Sequence, residues 1–200
     1  MKKFVFLLLL NSCCLLPSYK VDKAFDYEYG TKDRERQVLV SGPSLILPRW
    51  LIREDYNQTI DSINKSIENL KIQYSRSSEV DWSKIVILIH DNLDWCMSRF
   101  HKKVSGFHDE TGLIIITWQP TTEGYPRVNK PFSDLIPHEL FHLIFHALYN
   151  NGDEKHAIYF PDVQEIITKV TKEASSIVLS DQSKQNAKNF KYTPWTESLD

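Results

Sequence analysis

The chain has 200 residues, 42% of them hydrophobic, 12% aromatic and 25% charged, the balance of one packed domain with a tail and not of a disordered chain. Six glycines and nine prolines exclude a collagen-like or low-complexity architecture, and three cysteines are too few for a disulfide scaffold. A formal charge of −2 with no Lys/Arg block argues against a nucleic-acid binder working by bulk electrostatics, so no nucleic acid is expected as partner.

The chain opens with Met1-Lys2-Lys3 and the apolar run Phe4 to Leu10. A transmembrane helix needs about 20 apolar residues; this run ends by Leu16 at the latest, and residues 1–12 read as a secretory signal. Leu10-Asn11-Ser12-Cys13 resembles the lipobox of bacterial lipoproteins, with a leucine three places before the cysteine and a small residue directly before it. The resemblance implies that Cys13 carries lipid as the first residue of the mature chain. It also implies that the protein is exported to the cell envelope and held to a membrane by that lipid. Residues 13–37 then form anchor and polar tether, and 38–200 the folded domain. Cys96, in the Leu93/Cys96/Phe100 pattern, reads as a small buried hydrophobe.

Val38-Leu39-Val40 and Ser44 to Leu47 are predicted short strands on either side of Gly42-Pro43. Tyr56, Ile60, Ile63, Ile67, Leu70 and Tyr74 recur at intervals of four and three, which predicts an amphipathic helix over 55–74 with Asp55 as its N-cap. Residues 84–90 predict a buried central strand, 92–103 a short helix, and 112–118 a second strand. That second strand could pair with an extended substrate. Residues 119–131 carry the turn residues of a surface loop. Helices are predicted at 135–150 and 162–179, followed by a polar tail from Asp181. The elements do not alternate as βαβ units, which favours an α+β fold: a small mixed sheet packed with the first helix and the helix at 135–150.

That last helix carries the chemistry. Ile136-Pro137-His138-Glu139-Leu140-Phe141-His142 contains H-E-x-x-H. One helical turn separates His138 from His142, so both imidazoles lie on one face and can converge on a single ion. Neutral imidazole suits Zn²⁺. Glu139 lies about 100° round the helix, beside the ion and off the ligand line. There it can act as general base on a water activated by the metal. Leu135, Ile136, Leu140, Phe141, Leu143 and Ile144 surround the motif with apolar residues, and a charge on so apolar a helix needs a partner. Pro137 is accommodated if Asp134 is the N-cap, because at the third helical position a missing N–H costs no bond. Asn150-Asn151-Gly152 is a C-cap signal, with Gly152 expected to turn the chain back towards the metal.

On these residues and the order of elements over 50–170 the sequence resembles the zincin metallopeptidases. The resemblance implies a zincin-like fold, a zinc cofactor, His138 and His142 as ligands, Glu139 as catalytic base, and a third protein ligand. His156 follows His142 by fourteen residues, beyond a glycine, and this interval resembles that of SprT-like peptidases. Glu165, on the next helix, resembles the gluzincin arrangement. Asp153, Glu154 and Asp162 are further candidates. His146 lies two turns from His138, about 12 Å along the axis, and is expected to pack or orient a neighbour. Tyr159 is a candidate oxyanion donor or a core aromatic. His90, His101 and His108 read as structural. The functional expectation is an exported zinc peptidase acting on a protein or peptide, cell-wall peptide included. The alternative is a non-catalytic surface lipoprotein that keeps the scaffold for partner binding.

Overall fold

A computed structural model describes residues 34–90, 106–108, 112–117, 132–173 and 179–189. The signal segment, Cys13, most of the tether, the helix expected at 92–103 with Cys96, and the loop at 119–131 lie outside these residues. No described helix is long and apolar enough to cross a membrane.

Five strands form one mixed sheet: β1 (Arg34–Val38), β2 (Ser44–Pro48), β3 (Val86–His90), β4 (Gly106–His108) and β5 (Leu113–Thr117), in the spatial order β1-β2-β3-β5-β4. β1 pairs antiparallel with β2, Val38 opposite Ser44. Their turn closes through Gly42 at φ +111° and the Leu39 N–H donating to the Pro43 carbonyl at 2.8 Å. The first strand therefore precedes the apolar triplet that predicted it, and Val40 sits in the turn, 96% exposed. Residues 34–37, assigned to the tether, belong to the sheet. Their charge does not prevent this, because an edge strand tolerates polar side chains that a central strand would not.

β3 runs parallel to both β2 and β5, with Val86 opposite Ser44 and Leu113. Ile85 to Ile89 are all within 3% of full burial, the unbroken apolar run that a central parallel strand requires. β4 lies antiparallel to β5 on the outer edge, Gly106 opposite Ile116. β5 is thus paired on both sides and cannot accept an added strand, contrary to the expectation for 112–118; β4 is the edge element.

Helix α1 (Arg53–Gln73) joins β2 to the parallel β3, so the described residues include a βαβ crossover that the element order had not suggested. Three more helices follow: α2 (Phe132–Tyr149), α3 (Phe160–Glu173) and α4 (Asp181–Asn189). The result is a mixed α+β fold. One core joins the two layers: Ile63, Ile67 and Leu70 of α1, Phe141, Ile144 and Phe145 of α2, Val163 and Val170 of α3, and Leu45, Ile87, Ile89 and Ile114 of the sheet. α2 starts at Phe132, before the expected cap at Asp134. Pro137 consequently lies inside the helix, where it offers no N–H to the Ser133 carbonyl.

Asp55 is not an N-cap. Ile52 holds that position, without a side-chain bond. The buried Asp55 carboxylate instead accepts the Ser180 N–H at 3.0 Å and the Ser180 hydroxyl at 2.7 Å. Beside it the Ile52 N–H donates to Ser183 Oγ at 2.9 Å, and Asn186 Nδ2 donates to the Trp50 carbonyl at 3.1 Å. These bonds explain why the polar tail forms a docked helix despite its lack of apolar periodicity. Asp55→Ala strips the half-buried Ser180 N–H of its carboxyl acceptor, so urea denaturation is expected to show a loss of about 1–3 kcal/mol. An unchanged midpoint would mean that α4 docks by other means.

Candidate metal centre

α2 presents its motif against the β4 edge of the sheet and the turn that follows the helix. Glu139 and His142 are buried and His138 is half-buried, while Ile136, Leu140, Phe141, Leu143, Ile144 and Phe145 pack in the core. The chain then reverses. The Asn150 N–H closes the helix on the His146 carbonyl at 2.9 Å, and Asn150, Asp153 and His156 all adopt φ +54°. Asn, Asp and His are among the residue types that enter this left-handed region most readily. The reversal expected of Gly152 is thus carried by its neighbours, and Gly152 has no positive φ. It is glycine for space: a Cβ there would collide with the His146 ring and the Glu154 carboxylate.

Asp153 organises the turn. Its carboxylate accepts the N–H groups of Ala157 at 2.9 Å, Ile158 at 3.0 Å, Tyr159 at 2.7 Å and Phe160 at 2.9 Å, capping the start of α3. Its carbonyl accepts the His156 N–H at 2.8 Å. Burial pushes the Asp153 carboxyl up, and the backbone donors from Phe160, Tyr159, Ala157 and Ile158 outweigh that and hold it at about 2. Asp153 is therefore committed to the backbone and is no metal ligand.

This turn delivers His156 to the helix. The rings of His138, His142 and His156 lie 5.0, 4.9 and 5.0 Å apart, centroid to centroid, and their nitrogens converge in a grouping able to hold a metal ion. His142 Nε2 and His156 Nε2 are 3.1 Å apart. Two corners of a tetrahedron with Zn–N bonds of 2.0–2.1 Å lie about 3.3 Å apart, so the donor set fits such an ion. Phe160 lies under all three rings, 4.9, 4.5 and 4.3 Å from their centroids. The Gly152 carbonyl, 2.6 Å from His142 Nδ1, accepts its proton and leaves the Nε2 lone pair facing the centre. Burial lowers the His142 pKa to about 4, against the Gly152 carbonyl, so the ring is neutral at neutral pH, as a ligand must be.

No family model, curated protein or solved structure matches this chain. The site therefore rests on its own geometry.

The other candidates lie elsewhere. Glu165 is exposed on α3 and belongs to no such grouping among the described residues. Asp162 is exposed in the first turn of α3, where its charge suits the helix end. Tyr159 stacks on Tyr149 at 4.4 Å and packs against the core. His146 Nε2 lies 3.0 Å from Glu154 Oε1.

His108, read as structural, enters the site. It lies on β4, stacks on His142 at 4.2 Å and 12°, and its Nδ1 is 2.8 Å from Glu139 Oε2. Burial opposes its charged form, and the Glu139 and Glu154 carboxylates outweigh burial and raise its pKa. Gly106 makes this possible, since a Cβ there would press into the Glu139 carboxylate, 2.9 Å from its Cδ. Neither residue carries a spacing signal, because contact between β4 and α2 is set by sheet order.

The Asp153 cap has a pH signature. A carboxyl whose folded pKa lies below its ordinary 3.8 contributes stability that is fully present above that value and is lost as pH falls through about 2. Urea denaturation between these limits should show a steeper loss for the wild type than for Asp153→Asn. At neutral pH, Asp153→Ala should cost about 0.5–2 kcal/mol. Parallel pH profiles would contradict the cap.

Proposed function

We propose that this chain is a zinc-dependent peptidase of the zincin type. In this reading it is exported and tethered to a membrane through lipid on Cys13. The observation that carries the activity is the convergence of His138, His142 and His156 beside a buried Glu139 that ligates nothing in the trio. The antiparallel edge strand β4 along α2 supports the same reading, as does the glycine-containing interval before His156. The signal-like Met1 to Leu10 and the Leu10 to Cys13 motif support export and lipidation.

His138, His142 and His156 would hold the zinc. When bound, zinc supplies Lewis-acid activation of water and of the scissile carbonyl. Glu139 takes a proton from the attacking water and returns it to the departing amine. His108 fixes the Glu139 carboxylate through Oε2, which leaves Oε1 as the proton acceptor. Gly152 fixes the tautomer of His142. The substrate is a peptide bond in a protein or a cell-wall peptide.

Glu139→Gln keeps shape and hydrogen-bonding reach but removes the base. Cleavage of a peptide library by the zinc-loaded variant should fall by about 10²–10⁴ with zinc content unchanged. His156→Ala should lose zinc affinity and rate together. Full activity in Glu139→Gln, or full zinc affinity in His156→Ala, would defeat the respective assignment.

A further inference from the structure

Five of the seven histidines fall in the metal-type groupings of this region, yet three suffice for the centre described above. The remaining two, His108 and His146, meet Glu154. The side chains come from three separate segments: β4, the last turn of α2, and the turn after it. Their ligand atoms all lie within 4.8 Å of one another. Glu154 Oε1 is 3.0 Å from His146 Nε2 and 3.4 Å from His108 Nε2.

We propose that His108, His146 and Glu154 form a second divalent-cation site, distinct from the His138–His142–His156 centre and independent of whether that centre is catalytic. The convergence of the three side chains leads there. Nε2 of His108 and Nε2 of His146 both face the same Glu154 oxygen, so a cation seated among them would take one nitrogen from each ring and the Glu154 carboxylate. On its other side His108 Nδ1 meets Glu139 Oε2 at 2.8 Å. His108 would then stand between a carboxylate and a metal, the usual outer support of a histidine ligand. Two imidazoles and one carboxylate are a donor set suited to Zn²⁺.

The backbone is shaped for this meeting. Gly152 has no conformational need to be glycine, and its missing side chain is the space that His146 and Glu154 occupy. An open depression of about 460 Å³, lined in part by His146, Gly152 and Glu154, gives solvent ions access. The competing explanation is a proton on His108 in place of the metal, and stoichiometry separates the two.

The test is calorimetric titration of the purified full chain with Zn²⁺, its thiols alkylated beforehand so that the cysteines bind nothing. Wild type should take up two ions. Glu154→Gln and His146→Gln should each take up one. The pair His138→Ala/His142→Ala should also take up one, and its combination with Glu154→Gln none. Glu154 is exposed, so its isosteric variant leaves the core intact, and far-ultraviolet circular dichroism checks that it does. Two ions retained in both Glu154→Gln and His146→Gln would overturn the second site. So would a single ion in the wild type that only the His138/His142 pair removes, a result that leaves the catalytic reading standing. A single ion removed by Glu154→Gln but not by the His138/His142 pair would uphold the second site and defeat the catalytic one.

Discussion

The site depends on the Asp153 carboxylate and the four backbone N–H groups gathered on it. A helix beginning at Phe160 leaves donors without partners, and so does the bend before it. One carboxylate satisfies them from within the turn and fixes three things together. It starts α3, it sets Phe160 under the imidazoles, and it holds the short arc on which His156 sits. The left-handed conformations at Asn150, Asp153 and His156 make that arc tight enough to bring His156 back over α2. A looser connection would leave an exposed histidine free to sample solvent.

The second constraint is burial. α2 runs through the core with Glu139 and His142 inside it, and a buried polar group must be satisfied. Each has a named partner from outside the helix: His108 of β4 for Glu139, and the Gly152 carbonyl for His142. Sheet edge and returning turn therefore satisfy the buried groups and fix their orientation through the same bonds. Glycines 106 and 152 are where backbone and side chain would otherwise compete for that space.

Much of this was legible in the sequence. Intervals of three and four placed α1, the apolar run placed β3, and the five-residue motif put His138 and His142 on one helix face with Glu139 beside them. Features that depend on tertiary context were not legible. The charged Arg34 to Gln37 form an edge strand because β2 offers a partner. Asp55 looks like a cap from its position and is instead the acceptor for Ser180, distant in sequence. Residues 181–189 fold as a helix because polar bonds dock them. His108 lacked any signal, since only the order β3-β5-β4 brings it to α2. Gly152 was noted for the wrong reason, as a turn residue, when its role is to be small.

The central claim is that three imidazoles from α2 and the following turn share one zinc ion. Anomalous diffraction at the zinc edge from crystals of the zinc-loaded protein tests it directly. The account predicts a peak about 2.0–2.1 Å from Nε2 of His138, His142 and His156 alike. A peak that omits His156, or none at these residues, would contradict it.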